Sequence, residues 1–275
     1  MQALHILITG GSSGIGKALA KLMARQGACI SLLARDSAKL AEAKKEIEAS
    51  RIGKDQRVCI FPADVSVRTQ VQEAVSAALQ EQGPPDVVVT SAGIAHPGYF
   101  MELPLEVFER TMAVNFFGTL YTIRATLPAM VKRGRGHLVL ISSGAGLLGL
   151  FGYSAYSPSK FALRGLAESL RGELRPMGIA VSIVFPPDTD TPQLAEENRT
   201  KPPETKRMTG TIKTWSAEEV ARVIFKGMEK KCFAITPGMG MKSLFLFHSL
   251  LSPLTHRYLD HLAANARRRP SSGQP

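Results

Sequence analysis

The sequence predicts a single α/β domain, a parallel sheet of about seven strands with helices on both faces. Three observations predict it. Short apolar runs alternate with longer amphipathic ones along the chain. Those apolar runs are continuous, the pattern of strands covered on both faces. The 275 residues, 44% hydrophobic and 21% charged, hold enough apolar surface for a substantial core and show neither an internal repeat nor an interdomain linker.

The elements follow in order. ALHILIT, residues 3–9, reads as a first strand, and residues 14–27 as a helix stopped by Gly27. CISLLA, residues 29–34, is a second strand. Residues 37–50 form a charged amphipathic helix with Ser37 in the cap position. Further strands are expected at 57–64, 86–93, 137–143 and 179–186, with a short seventh at 232–237. Helical segments intervene each time, as a parallel sheet requires. Two regions break the rhythm. Residues 186–214 are polar, rich in Pro and Thr and without a clear period, whereas 238–262 are unusually apolar.

Composition narrows the function. Cys29, Cys59 and Cys232 are odd in number and far apart, without metal-ligand spacing. They read as buried thiols in a reducing compartment, hence a cytoplasmic protein. A net charge of +11 suits nucleic acid, an anionic membrane or a phosphorylated cofactor. No nucleic-acid fold signature is present, so nucleic acid is set aside. The N-terminus lacks the basic start of a signal peptide, and its apolar run ends in glycines.

TGGSSGIG, residues 9–16, joins the first strand to the first helix. Gly10, Gly14 and Gly16 let the backbone turn tightly and approach a pyrophosphate. Ser12, Ser13 and Ile15 lie in the same loop, and the helix N-terminus offers free N–H groups and a positive dipole end. This strand–loop–helix context predicts a dinucleotide site and specifies the sheet as doubly wound and Rossmann-type. After the second strand an NAD site usually carries a carboxylate for the ribose 2′-hydroxyl. Here Ala34 and Arg35 stand in that place, and Asp36 falls one position late. Arg35 can grip a 2′-phosphate in a fork, so the expected cofactor is NADPH/NADP.

YSAYSPSK, residues 153–160, places Tyr156 four residues before Lys160, on one helical face. A free phenol titrates near pH ~10, and a nearby ammonium is expected to lower that value. Pro158 is tolerated if the helix begins near Ser154 or Ala155, because first-turn N–H groups lack partners anyway. Tyr153 reads as a pocket or packing aromatic. Ser142 and Ser143 point to opposite sides of a strand, and alternation alone does not choose between them.

With these motifs in order, the chain resembles the short-chain dehydrogenase/reductase family from residue 4 to about 236. The resemblance implies that Tyr156 gives a proton to a developing alkoxide, Ser143 orients the carbonyl, and Asn115 holds a water that relays protons to Lys160. Taken alone, Asn115 reads equally as a structural bond between helix and strand. The resemblance also implies cofactor contacts from Asp64, Val65, Ala92, Gly93, Tyr156, Lys160, Pro186, Thr189 and Thr191. Two positions depart from the pattern: Ser91 replaces an asparagine, and Pro187 replaces a glycine.

Residues 185–205 and 142–170 further resemble the 3-ketodihydrosphingosine reductase branch of that family. Its members use NADPH to reduce a long-chain amino-ketone. Asp188, Asp190, Glu196 and Glu197 would then face a cationic amine, and Leu244, Phe245, Leu246, Phe247, Leu250 and Leu251 an alkyl tail. The competing readings are a reductase of another hydrophobic ketone (steroid, retinoid or 3-oxoacyl) and a non-catalytic cofactor sensor. Residues 1–237 are thus expected to bind dinucleotide and carry catalysis. Residues 238–266 would meet a membrane interface or another subunit of a dimer or tetramer, and 267–275 would be a basic disordered tail. Lys242, His248 and Pro253 break the apolar run short of the ~20 residues that span a bilayer.

Overall fold

The computed structural model describes residues 4–210 and 213–268. Strands β1 (His5–Thr9), β2 (Cys29–Ala34), β3 (Val58–Pro62), β4 (Val87–Thr90), β5 (Gly136–Ile141), β6 (Ile179–Val184) and the short β9 (Ala234–Ile235) form one parallel sheet. Its order is β3-β2-β1-β4-β5-β6-β9. The register pairs Ile6 with Ile30 on one side and with Val87 on the other, and carries on through Val88 with Leu138 and Leu138 with Val181. The doubly wound sheet expected from the continuous apolar runs is present.

Helices cover both faces. Ile6 and Ile8 of β1 face one core with Leu19 of α1 (Gly14–Arg25), Leu40 of α2 (Ser37–Glu48) and Val220 of α9 (Ala217–Glu229). Leu7, between them, faces the other core. That core holds Val71 of α3 (Arg68–Gln82), Ile123 of α5 (Gly118–Arg133) and Leu163 of α6 (Tyr156–Leu174). Strand alternation therefore assigns neighbouring apolar residues to opposite layers. A short α4 (Leu105–Met112) runs through a π-helical turn, Ala113–Phe117, into α5.

Several expectations change in detail. The helix after β2 is capped by Asp36, whose carboxylate accepts from the Lys39 amide at 3.0 Å, rather than by Ser37. Strands β3, β4, β5, β6 and β9 each end two or three residues before their apolar runs do. Those last residues leave the ladder to build loops at the carboxyl edge. Of the three cysteines, which are free, only Cys29 is buried; Cys59, on edge strand β3, and Cys232 are half-buried.

The described residues of the aperiodic stretch 186–214 form ordered structure. After β6 come β7 (Thr189–Asp190), α7 (Pro192–Thr200) and α8 (Pro203–Thr209), and then β8 (Trp215–Ser216). β7 and β8 close the excursion by a two-residue parallel ladder, Thr189 with Trp215 and Asp190 with Ser216. The apolar C-terminal segment is a helix, α10 (Met239–Arg268). One side of it enters the core through Met241, Leu244 and Phe245, the Phe245 ring 5.5 Å from that of Phe185. Met239, Leu246, Phe247 and Leu250 are exposed. Arg267 and Arg268 end this helix, and the rest of the expected tail, 269–275, lies outside the described residues. Among the described residues, no helix is long and apolar enough to cross a membrane.

Candidate active site

The strand order reverses between β1 and β4, since β2 and β3 lie to one side of β1 and β4, β5 and β6 to the other. Such a switch point opens a crevice beyond the carboxyl ends of the strands. A cleft of about 600 Å³ occupies it. Every residue expected at the cofactor lines that cleft except Gly16, which stands behind it.

The glycine loop is shaped for close approach. Gly10 and Gly14 have φ of +69° and +53°, in the region that favours glycine. A Cβ on Gly10 would lie 2.7 Å from the Ala92 backbone, and one on Gly16 2.5 Å from the Gly10 carbonyl. Helix α1 then begins at Gly14, with Ser13 as an N-cap that makes no side-chain cap hydrogen bond and no acid in the first turn. This amide-lined cradle at a positive helix end fits a pyrophosphate. Arg35, with its side chain 59% exposed, stands at the rim, 4.0 Å from Asp64. Arg110 holds Asp64 much more closely, at 2.6 Å. Burial works to raise the Asp64 pKa, but hydrogen bonds from Arg110 and Ser66 outweigh it and hold the carboxyl below its ordinary value.

The opposite wall carries Tyr156 and Lys160, both buried. Helix α6 starts at Tyr156 with Ala155 as N-cap, so Pro158 sits in the first turn as expected. Lys160 Nζ lies 5.5 Å from the Tyr156 ring centroid and donates to the Ile141 carbonyl at 3.1 Å. Burial pushes its pKa down to about 8. The expectation that this ammonium lowers the phenol's pKa is overturned. Burial of Tyr156, and next the negative charge of Glu197, push it up, against hydrogen bonds with Ser143 and Gln193 that lower it. The lysine's main bond is to a carbonyl, so its charge does not reach the phenol strongly enough to reverse the desolvation.

Geometry separates the two serines. Ser142 Oγ donates to the Lys160 carbonyl at 3.0 Å and holds α6 against β5, whereas Ser143 lines the cleft with Tyr156 and works to lower the phenol's pKa. Asn115 is fully buried in the π-helical turn. Its Oδ1 accepts from the Ile94 amide at 2.8 Å, and its Nδ2 donates to the Ile94 carbonyl at 3.0 Å and to Ser159 Oγ at 2.9 Å. Asn115 therefore ties the loop after β4 to α5 and α6. A Cβ on Gly93 would lie 3.4 Å from both Asn115 Oδ1 and Lys160 Nζ, so this loop passes directly over the pair.

Sequence reasoning missed Gln193. It lies in α7, lines the cleft near Tyr156, whose pKa it works to lower, and donates to Glu197 Oε1 at 2.9 Å. Glu197 Oε2 in turn accepts from Tyr153 at 2.6 Å, and the rings of Tyr153 and Tyr156 are 5.6 Å apart. The available signal was Thr191 followed by Pro192, a cap and first-position proline that mark a helix start. Thr191 does cap α7, accepting from the Leu194 amide at 3.2 Å. Beyond these polar groups the cleft is walled by Leu148, Leu150, Leu194, Met208, Met241 and Leu244. A buried phenol beside an ammonium can pass a proton to a carbonyl oxygen, and the apolar wall can take a long aliphatic group.

Known proteins place this arrangement. The family profile described as short chain dehydrogenase matches residues 4–202. A 3-dehydrosphinganine reductase of Danio rerio is 43% identical over 256 residues, 93% of this chain and 77% of that protein. A 3-ketodihydrosphingosine reductase of Bos taurus is 47% identical over 82% of this chain and 68% of that protein. The solved structure of a levodione reductase superposes with a TM-score of 0.77 at 26% identity, over 85% of this chain and 94% of that one.

Proposed function

The chain belongs to the short-chain dehydrogenase family, and from that premise we propose that it reduces the ketone of 3-ketodihydrosphingosine with NADPH. One observation carries the substrate: relatives that bear this activity in their names match over most of the chain, from Danio rerio, Bos taurus and Dictyostelium discoideum. The cleft fits it, with an apolar wall for an alkyl chain and Glu197 and Asp188 for an amine.

When bound, the nicotinamide supplies a hydride to the carbonyl carbon. The chain does the rest. Ser143 and Tyr156, both on the cleft wall, grip the carbonyl oxygen and orient it. Tyr156 gives its proton to that oxygen as negative charge develops. A phenol held protonated by burial is in the form this donation needs. Lys160 then stabilises the phenolate left behind and helps to restore its proton. Asn115 positions the loop over the pair through its bonds to Ile94, and the apolar wall excludes water.

The choice of NADPH over NADH rests on the end of β2. The Asp36 carboxylate, which could have met a ribose 2′-hydroxyl, is committed to the Lys39 amide. Arg35 and Lys39 line the cleft there and offer positive charge to a 2′-phosphate. Peripheral membrane contact is supported by the exposed outer face of α10, where Leu246, Phe247 and Leu250 stand beside Lys242 on a chain of net charge +11. Exposed Met101, Leu105 and Phe117 around α4 support pairing with a second copy. Free cysteines suit a cytoplasmic setting. The test is NADPH oxidation with 3-ketodihydrosphingosine beside steroid, retinoid and 3-oxoacyl ketones. Turnover of the amino-ketone at a kcat/KM at least tenfold above the others supports the reading. Preference for one of the others rejects it, and turnover of none leaves only a cofactor sensor.

A further inference from the structure

Four carboxylates lie between residues 188 and 197, and the fold treats them differently. Asp190 and Glu196 are exposed, and Glu196 pairs with Arg199 at 2.8 Å. Asp188 reaches the cleft but is matched by Lys201, a buried lysine 3.7 Å away. Glu197 alone is buried, 7% exposed, lines the cleft, and has no Lys, Arg or His within 4.0 Å among the described residues. Its hydrogen-bond partners are neutral, and the Lys160 ammonium, which its charge favours, stays beyond ion-pair distance. Tyr153 donates to one oxygen at 2.6 Å, and Gln193 to the other at 2.9 Å. A buried carboxylate is costly without an opposite charge, and two neutral donors meet only part of that cost.

Its position relative to Tyr156 is equally specific. Tyr153 donates to Glu197 at 2.6 Å and its ring lies 5.6 Å from that of Tyr156, so a single phenol separates the carboxylate from the proton donor. A substrate whose carbonyl oxygen meets Tyr156 has the substituent on its neighbouring carbon beside Glu197. We propose that Glu197 is the specificity residue that reads a cationic amine on the carbon next to the ketone. The inference rests on the amino-ketone reading above and adds to it the group that recognises the amine. The bound ammonium completes the missing charge pair and donates hydrogen bonds to the carboxylate's remaining lone pairs. A ketone with no amine leaves Glu197 without a close ion-pair partner, and the site disfavours it. Selection thus works by attraction of the right substrate and by the cost of leaving a buried anion unmatched.

The experiment compares two substrates, 3-ketodihydrosphingosine and the 1-hydroxy-3-ketone of the same chain length that lacks the amine. Glu197→Gln keeps the side chain's shape and an oxygen for Tyr153 but removes the charge. The ratio of kcat/KM for the amino-ketone over its des-amino analogue should fall about ten- to a hundredfold, mostly through KM. Glu196→Gln, on the exposed side of α7, should keep the wild-type ratio. An unchanged ratio in Glu197→Gln, whatever the absolute rates, overturns the inference and leaves Glu197 as a support for Tyr153 and Gln193. A second measurement needs only the wild-type chain. A long-chain primary amine should inhibit amino-ketone reduction at least tenfold more strongly than the alcohol of equal length, and equal inhibition overturns the inference as well. If the wild-type enzyme reduces the des-amino ketone but not the amino-ketone, the functional reading itself falls, and the inference falls with it.

Discussion

Lys160 Nζ and the Tyr156 ring centroid are 5.5 Å apart, and the lysine's hydrogen bond runs to the Ile141 carbonyl instead of the phenol. The pair therefore behaves as two separately buried groups. Burial holds Tyr156 as a neutral acid and weakens the hold of Lys160 on its proton. In the reduction direction this is a useful division, with a protonated donor and a cation able to answer the charge it leaves.

If Tyr156 is the proton donor, Tyr156→Phe removes most turnover without disturbing the cofactor. General acid catalysis contributes about 10²–10⁴-fold, so kcat should fall by that much while NADPH affinity stays within a factor of about two. Stopped-flow NADPH oxidation and fluorescence titration read the two quantities. A Phe variant that keeps half of the wild-type kcat removes Tyr156 from the mechanism.

Arg35→Ala should weaken NADPH far more than NADH. A charge-assisted contact to a 2′-phosphate corresponds to roughly ten- to a hundredfold in affinity. Binding of both cofactors to the same variant is the measurement. Equal losses would reassign Arg35 to a purely structural pairing with Asp64.

Lys160 gives a pH dependence of definite sign. Its folded pKa is about 8 against an ordinary value of 10.5. Between those values the unfolded chain binds the proton and the folded chain does not, so this group makes stability rise with pH from about 8 to about 10.5. Below that window the buried charge costs on the order of 3 kcal/mol. Lys160→Met should accordingly be more stable than wild type at pH 7, and the difference should shrink toward pH 10.5. Denaturant unfolding across that range checks it. In the same titration, kcat/KM for reduction should decline above about pH 8 as the ammonium is lost. A flat profile through that region would mean that the lysine's charge is not used.

The outer face of α10 should bind anionic vesicles in co-sedimentation, with binding that weakens as salt rises and on truncation after Pro237. Each basic residue near such a surface contributes about 1 kcal/mol, so a few hundred millimolar salt should release most of the protein. Protein that stays in the supernatant at low salt excludes membrane contact. Conversion of a dimer to a monomer on truncation would assign the same face to a subunit interface.

Much of this was legible because it depends on local chemistry. Glycine spacing between a strand and a helix specifies a phosphate cradle, and the four-residue interval from Tyr156 to Lys160 specifies one helical face. Strand interiors were legible from apolar runs, but their ends were not. At Ser91, Ser142 and Pro186 the residues stay compatible with a strand while the backbone turns away to frame the cleft. Alternation could not choose between Ser142 and Ser143, because the choice depends on where α6 packs. Gln193 was hidden for a related reason, and nothing in the sequence singled out Glu197 among the four acids from Asp188 to Glu197. Their helix is short and polar, and its role depends on Tyr153 and Tyr156, some forty residues earlier in the chain.

The two-residue ladder of β7 and β8 has a meaning for inheritance. The excursion it closes, from the end of β6 to Ser216, supplies Gln193, Glu197 and Met208 to the cleft, while Ser143, Tyr156 and Lys160 come from β5 and α6. On the reading proposed above, bond-making and substrate choice descend on separate pieces of chain. Mutations that accumulate in the excursion can retune what is reduced while the proton donor and the cofactor cradle pass unchanged from parent to daughter genes. A duplicated copy could diverge toward a new ketone in this stretch alone, its two ends held together by a clasp only two residues long.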